Sequence, residues 1–249
     1  MITRGDVDAH DRVAAAARAA GAELVGDGEE PDIVVVLGGD GTMLRALKQL
    51  LGAGVPVIGV NFGRVGFLTS MEAADLETGL ERAFRGEYKV VGLATLELEL
   101  GGTRHVGVND VVGTSSTLGR MVEVSWAVGE EELGTMACDG IVCATPSGST
   151  AYNLSSGGPV LVWGLDAMAV TFVAPHSLHA RPLVVPRGRD LALTNVSRSN
   201  GLTMVVDGIQ VGELAPGEQA VIRLGGEHSM LATLPEATFF TRFRQHFAS

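Results

Sequence analysis

Hydrophobic and polar positions in the first third of the chain alternate between helical and strand-like spacing. Apolar residues at helical spacing predict helices over three ranges: 6–20, 42–51 and 74–85. Continuous apolar runs at 32–37 and 55–60 are typical of strands buried on both faces of a parallel sheet, and 22–25 is a further short strand candidate. This alternation predicts a doubly wound α/β domain.

The pattern changes near residue 90, after which the apolar runs are short and separated by Gly, Asn, Ser and Pro. Eight strands are predicted there: 94–100, 104–112, 122–128, 141–144, 168–173, 190–194, 203–206 and 220–224. The tail, 237–247, is helical in pattern and is expected to fold back onto the first domain. We therefore predict an α/β domain of residues 1–92 with 235–249, and a mostly β domain of residues 93–234.

The amino-acid composition limits the kinds of ligand that the protein is expected to bind. The 249 residues carry a formal net charge of −11, which excludes a general electrostatic attraction to nucleic acid or anionic lipid. The two cysteines are expected to be buried, reduced thiols, and neither a signal peptide nor a membrane span is evident. The sequence predicts a soluble, cytoplasmic protein in which any anionic ligand needs local help from backbone N–H groups, a few basic side chains or a divalent cation.

The first chemical signal is the loop Gly38-Gly39-Asp40-Gly41-Thr42, between a predicted strand and helix. Glycines let the backbone approach a phosphate closely, and a helix N-terminus presents N–H groups to it. A carboxylate in such a loop is explained as a Mg²⁺ ligand or a general base. The alternative is a plain strand-to-helix turn in which Asp40 is the N-cap.

The second signal is the hydroxyl-rich stretch Thr145-Pro-Ser-Gly-Ser-Thr-Ala-Tyr152, which follows Asp139-Gly140 and a predicted strand. Its hydroxyls can donate to and accept from a ribose, an amide or a phosphate, although such turns are also common structural features. Walker A, G-x-G-x-x-G and G-x-S-x-G loops are absent from the sequence.

The ordered set of these motifs resembles the NAD kinase family. The resemblance rests on GGDGT at 38–42, Asn109-Asp110, Asp139-Gly140, TPSGSTAY at 145–152, SGGP at 156–159 and the stretch 175–182. GGDGT alone is shared with lipid and sphingoid kinases, whereas TPSGSTAY followed by GGP is more specific. The resemblance implies a Rossmann-like or phosphofructokinase-like parallel sheet and a sandwich-like β domain.

The same resemblance implies transfer of the γ-phosphoryl group of ATP, or of polyphosphate, to the adenosine ribose 2′-OH of NAD, with Mg²⁺ as cofactor. It implies that Asp40 is the catalytic residue and a possible metal contact, and that the protein is a homodimer or homotetramer. The implied nucleotide-binding residues are Gly38, Gly39, Gly41, Thr42, Arg64, Phe67, Asn109, Asp110, Asp139, Ser147, Thr150, Ala151, Tyr152 and Ser155.

The sequence departs from the family pattern at several positions. Cys138 replaces the first Gly of a Gly-Asp-Gly motif, and Asp110 is the shorter acid where Glu is frequent. The short, polar N-terminus predicts that the first strand of the family is missing. Asp207-Gly208 is interpreted as a hairpin turn without a chemical role. Two alternatives stay open: a lipid or sphingoid kinase sharing GGDGT, and a non-catalytic NAD or NADP sensor.

Overall fold

The computed structural model describes residues 2–3, 7–26, 28–63 and 66–247. Its helices are α1 Val7–Ala20, α2 Asp40–Gln49, α3 Leu76–Phe84, α4 Tyr152–Ser155 and α5 Phe239–Phe247. Its strands are β1 Ile2–Thr3, β2 Val34–Leu37, β3 Val57–Asn61, β4 Met71–Glu72, β5 Lys89–Leu100, β6 Thr103–Gly107, β7 Asp110–Ser115, β8 Val122–Val128, β9 Glu131–Cys138, β10 Gly140–Ala144, β11 Ala167–Val173, β12 Leu183–Pro186, β13 Leu191–Asn195, β14 Leu202–Val206, β15 Ile209–Leu214 and β16 Gln219–Thr233. Two 3-10 turns cover Ala73–Asp75 and Gly148–Thr150.

The chain forms two compact units, residues 1–92 with 229–249 (unit 1) and residues 93–228 (unit 2). It passes from one unit to the other within β5 and again within β16. The return to unit 1 comes earlier than the predicted residue 235. The reason is that the end of β16 belongs to unit 1, where Leu231 pairs in parallel with Val57 and Ser229 Oγ donates to Leu47 O.

Unit 1 is built on a parallel sheet in which β2 lies between β1 and β3, and β3 also pairs with β4 and with the end of β16. β2 and β3 are buried at every position, as their continuous apolar sequences predict. Residues of α1, α3, the sheet and the segment after β16 share one apolar core. The predicted α/β fold of this region is confirmed.

Three predictions about unit 1 are wrong. A first strand is present, because Ile2 and Thr3 pair in parallel with Val36 and Leu37 of β2; two residues are too few to show a strand pattern in the sequence. Residues 22–25 form no strand, and Leu24 and Val25 are each 43% exposed, so they have no core face to bury. Helix α2 begins at Asp40 rather than at Thr42.

Unit 2 is a β-sandwich, as predicted. One sheet has the order β12-β11-β10-β7-β14-β15, and its neighbouring strands are antiparallel. The other contains β9, β8, β13 and the first part of β16, with β5 and β6 beside it. Both sheets contribute buried residues to one core, for example Leu96 and Leu193 from one sheet and Ile141 and Met204 from the other. Each inner face is therefore apolar, as sandwich packing requires.

The strand predictions for unit 2 differ from the structure at one functionally important place. The predicted strand 104–112 is divided into β6 and β7, and the break falls at Val108-Asn109. Strands β9, β12 and β15 were not predicted from the sequence. Most positions in these strands are exposed, and β9 and β15 each bury a single residue. Their sequences therefore lack the alternation of apolar and polar residues that predicts a strand.

None of the helices in the described part of the chain is long and apolar enough to span a membrane.

A glycine at the start of β10 sets the spacing of the two central strands in the first sheet. A Cβ atom added to Gly140 would lie 2.5 Å from the carbonyl oxygen of Gly113 on β7, and backbone cannot move aside as a flexible side chain can. We expect Gly140→Ala to lower the free energy of unfolding by about 1–3 kcal/mol, measured by urea denaturation, because it forces β7 and β10 apart.

The matched control is Gly226→Ala, a glycine of β16 whose added Cβ would contact nothing within 4 Å. We expect this variant to change stability by less than about 0.5 kcal/mol. Equal losses in the two variants would contradict the steric explanation.

Candidate active site

The carboxylate of Asp40 is held by the backbone of a neighbouring loop in unit 1. After β2, Gly39 has an extended backbone and is the N-cap of α2. Asp40 is the first residue of this helix. Its Oδ2 accepts a hydrogen bond from Phe67 N at 2.7 Å and its Oδ1 accepts one from Leu68 N at 2.9 Å. The simple alternative of an N-cap aspartate is therefore wrong, because the carboxylate is directed to another loop.

This loop approaches Asp40 so closely that only glycine fits at residue 66. A Cβ atom on Gly66 would lie 2.0 Å from Asp40 Oδ1 and 2.4 Å from its Cγ. Gly38, Gly39, Gly41 and Thr42 surround Asp40 at the turn between β2 and α2, and Thr42 is buried. The predicted phosphate loop, 38–42, and the Gly-containing loop that follows β3 thus meet at one carboxylate. Arg64 lies outside the described residues.

Phe67 contributes its backbone to this arrangement. The ring is 7% exposed and packs against aromatic rings at the C-terminal end of the chain, with centroid distances of 4.7 Å to His246, 5.6 Å to Phe247 and 6.0 Å to Phe239. What Phe67 presents to Asp40 is therefore an N–H group.

In unit 2, Asn109 and Asp110 are held by Asp207, for which the sequence predicts only a hairpin turn. Asp207 lies in the tight turn between β14 and β15, where it and Gly208 both have positive φ, as the hairpin interpretation predicts. Its Oδ1 accepts from Asn109 N at 2.8 Å and Asp110 N at 3.3 Å, and its Oδ2 accepts from Val108 N at 2.9 Å. Asp207 therefore fixes the break between β6 and β7. An Asp-Gly turn gives no sequence signal of such a long-range contact.

Burial and a neighbouring charge perturb Asp110. The residue is 7% exposed, and burial, followed by the negative charge of Asp207, raises the pKa of its carboxyl from 3.8 to about 6. The fold thus holds the Asp207 carboxylate close to the buried Asp110 carboxyl, and its negative charge adds to the effect of burial in disfavouring ionisation of Asp110.

The turn after β10 is tied to the same loop. Thr145 Oγ1 donates to Val108 O at 2.7 Å, Thr145 N donates to Asn109 O at 2.9 Å, and Ser147 Oγ donates to Asn109 Oδ1 at 3.2 Å. The structure therefore brings Asn109, Asp110 and Ser147 together at one end of the β7–β10 pair.

The remaining predicted residues of unit 2 extend away from this point. Thr150, Ala151, Tyr152 and Ser155 lie on the 3-10 turn and α4, and Tyr152 is 45% exposed. Asp139 is exposed and precedes β10, at the other end of a five-residue strand, about 20 Å along it from Thr145. The structure therefore does not bring Asp139 to the Asn109 loop.

Models of two protein-family domains match the chain: the ATP-NAD kinase N-terminal domain over residues 22–88 and the ATP-NAD kinase C-terminal domain over residues 108–234. The NAD kinase of Heliobacterium modesticaldum is 39% identical over 219 residues, which is 86% of this chain and 77% of that protein. The NAD kinase of Gemmatimonas aurantiaca is 39% identical over 220 residues, covering 86% and 76%.

Two solved structures share the fold. An NAD kinase from Archaeoglobus fulgidus in complex with ATP superposes with a TM-score of 0.81 at 24% identity, over 99% of this chain and 96% of that one. Yeast NADH kinase complexed with NADH gives a TM-score of 0.78 at 24% identity, over 88% of this chain and 66% of that one. With both domain models matched and relatives of this identity over most of its length, the chain belongs to the ATP-NAD kinase family.

Proposed function

We propose that this protein is an NAD kinase, which transfers the γ-phosphoryl group of ATP to the 2′-OH of the adenosine ribose of NAD and forms NADP. Family membership and the relatives named NAD kinase support this proposal. The observation that carries it is the Asp40 carboxylate, fixed by two backbone N–H groups at the start of α2, inside a loop whose glycines admit a phosphate.

Asp40 is proposed to act on the attacking hydroxyl. Each of its oxygens accepts one backbone N–H in the structure, so each retains an acceptor position for a ribose hydroxyl. The 2′-oxygen attacks the γ-phosphorus, the bond to the β–γ bridging oxygen breaks, and ADP leaves with that electron pair. The proton of the hydroxyl passes to Asp40, which acts as general base. Polyphosphate would serve as donor through the same displacement.

A divalent cation such as Mg²⁺ fits the donors of this loop. Mg²⁺ favours hard oxygen ligands and is commonly bound through one or two carboxylates together with substrate phosphates. The described residues contain no cluster of three or more His, Cys, Asp or Glu side chains able to hold a metal, so Asp40 and the ATP phosphates would hold the ion. The ion would neutralise charge on the transferred phosphoryl group.

The nucleotide is proposed to bind along unit 2. Asn109 and Asp110 would hold a ribose and base, because they lie in a loop fixed by Asp207 and beside Ser147. Thr150, Ala151, Tyr152 and Ser155 would line the dinucleotide, with the exposed Tyr152 ring as a stacking face. Asp139 would contact the nicotinamide end, and Arg64 a phosphate. We also propose a homodimer or homotetramer located in the cytoplasm.

One assay tests the activity directly. Purified protein is incubated with Mg²⁺, ATP and NAD, and NADP is followed with an NADP-specific dehydrogenase. Formation of NADP is expected. NAD binding by calorimetry without NADP formation would instead support a sensor.

The role of Asp40 is tested by Asp40→Asn. We expect kcat to fall by about 10²–10⁴-fold, because the amide cannot accept the proton, whereas the Kd for NAD by calorimetry changes little. The amide leaves one backbone N–H of Phe67 or Leu68 without its carboxylate oxygen, so the melting temperature is measured in parallel. The control is Asp32→Asn, an exposed carboxylate just before β2. Near-wild-type turnover of Asp40→Asn would refute the assignment.

Asp110 is expected to contribute to binding at the expense of stability. Its folded pKa of about 6 lies above the ordinary 3.8, so the fold favours the protonated acid. Stability from this group is present below about pH 4 and is lost as pH rises toward 6, by about 3 kcal/mol at most for a shift of this size.

The variant Asp110→Asn should therefore be more stable than wild type at pH 7.5, by about 1–3 kcal/mol in urea denaturation, and the difference should shrink at pH 5. We expect its KM for NAD to rise about tenfold, because a charged acceptor is lost. The control Asp32→Asn, measured in parallel at both pH values, should keep the wild-type KM for NAD at each pH. A gain in stability that is equal at both pH values would contradict the explanation.

A further inference from the structure

Arg242 is a buried arginine on α5, on the opposite side of the Gly66–Ser70 loop from Asp40. It is 3% exposed, and five oxygen atoms accept hydrogen bonds from its guanidinium group. These are Phe67 O, Thr69 O, Ser70 Oγ, Thr233 Oγ1 and Ala237 O. A buried cation is tolerated when its donors are satisfied in this way.

A single peptide group connects this cation to the proposed catalytic carboxylate. The carbonyl oxygen of Phe67 accepts from Arg242 Nη1, and the N–H of the same peptide, that of Leu68, donates to Asp40 Oδ1 at 2.9 Å. The cation, the peptide dipole and the carboxylate are thus aligned head to tail. In a site of low dielectric constant, such hydrogen bonds polarise and strengthen one another.

The positive charge of Arg242 and the negative charge of Asp40 support this alignment. Burial lowers the pKa of Arg242 to about 10, and the negative charge of Asp40 opposes the shift, so the guanidinium group stays cationic at neutral pH. Arg244, two residues along the same helix, is exposed. The helix therefore directs one of these two arginines to the loop and the other to solvent.

We propose that Arg242 is a positioning residue for phosphoryl transfer: by fixing the carbonyls of Phe67 and Thr69, it orients the N–H groups that hold the Asp40 carboxylate. This inference rests on the proposed function, because it assigns to Arg242 a role in the chemical step at Asp40. It follows that loss of Arg242 lowers kcat while the affinity for NAD is largely retained, since the proposed NAD contacts of the described residues other than the one to the reacting hydroxyl lie in unit 2.

A cavity of about 450 Å³ borders the guanidinium group in unit 1, and Thr69, Ser70, Ala237 and Gln245 are among its other lining residues. Free guanidinium ion is small enough to enter such a space. Added guanidinium ion should therefore restore the kcat of a variant that lacks the Arg242 side chain, and kcat is measured where every variant is folded so that a change in stability does not enter the comparison.

The test compares Arg242→Met, Arg242→Lys and Arg242→Ala with two controls. Leu80→Ala lowers stability in the same unit through a fully buried core residue of α3 that makes no contact with the carboxylate of Asp40. Arg82→Met removes an arginine that pairs with Glu236, just before α5, and with Glu87. Steady-state kinetics are measured well below the melting temperature of each variant.

We expect Arg242→Met to lower kcat by about 30-fold with KM for NAD within about threefold of wild type, because a small displacement of a catalytic group has a large effect on rate. Arg242→Lys keeps the charge but lacks the planar fork, and its kcat should fall between those of Arg242→Met and wild type. If Arg242→Met does not fold, the lysine variant carries the same test. Guanidinium ion should restore the kcat of Arg242→Ala in a saturable manner and leave Leu80→Ala and Arg82→Met unchanged.

A cycle with Asp40→Asn completes the test. If Arg242 acts through Asp40, Arg242→Met should lower the residual rate of Asp40→Asn by no more than about threefold. The inference is overturned by Arg242 variants that keep wild-type kcat, by a loss no greater than that of Leu80→Ala, or by no response to guanidinium. Absence of NADP formation by the wild-type protein would overturn the proposed function, and near-wild-type turnover in Asp40→Asn would overturn the role of Asp40 and with it the present inference. An inactive Asp40→Asn beside fully active Arg242 variants would overturn only the present inference.

Discussion

Carboxylates that accept hydrogen bonds from consecutive backbone N–H groups organise the functional loops of both units. Asp40 receives the N–H groups of Phe67 and Leu68, and Asp207 receives those of Val108, Asn109 and Asp110. A charged acceptor makes each bond stronger than a neutral one, and two or three such bonds on one side chain fix the direction of a loop that has no regular structure. The glycines and hydroxyls around them have defined positions because these contacts exist.

Asp40 and Asp207 differ in the roles they have beyond holding these loops. Asp40 is the first residue of α2 and still has acceptor capacity, so the residue that organises its loop is also the proposed general base. Asp207 lies within a hairpin turn and accepts hydrogen bonds from the backbone N–H groups of Asn109 and Asp110, which are the proposed ribose contacts. Burial, and after it the negative charge of Asp207, raises the pKa of Asp110, so the arrangement that fixes the proposed ribose contact also disfavours its charged form. Such tension between stability and function is common in binding sites.

Sequence patterns predicted the parts of this protein that depend on local chemistry. The buried strands β2 and β3, the sandwich and the strand–loop–helix unit at Asp40 follow from apolar runs and glycines, and they were predicted. The two-residue strand β1 was missed because its pairing with Val36 and Leu37 depends on a neighbour distant in the chain. Asp207 and Arg242 were missed for the same reason: they contact residues about a hundred or more positions away, and neither carries a motif.

The route of the chain has a consequence for how the protein is made. Unit 2 is one continuous segment, whereas unit 1 combines residues 1–92 with residues from 229 onward. During synthesis from the N-terminus, the nucleotide loops of unit 2 are complete before Arg242 exists, and domains generally fold as units while the chain is being made. A nascent chain that stops short of α5 therefore contains GGDGT and TPSGSTAY but has no guanidinium group to fix the loop at Asp40. Given the role proposed for Arg242, synthesis of α5 is the step that completes the proposed catalytic site.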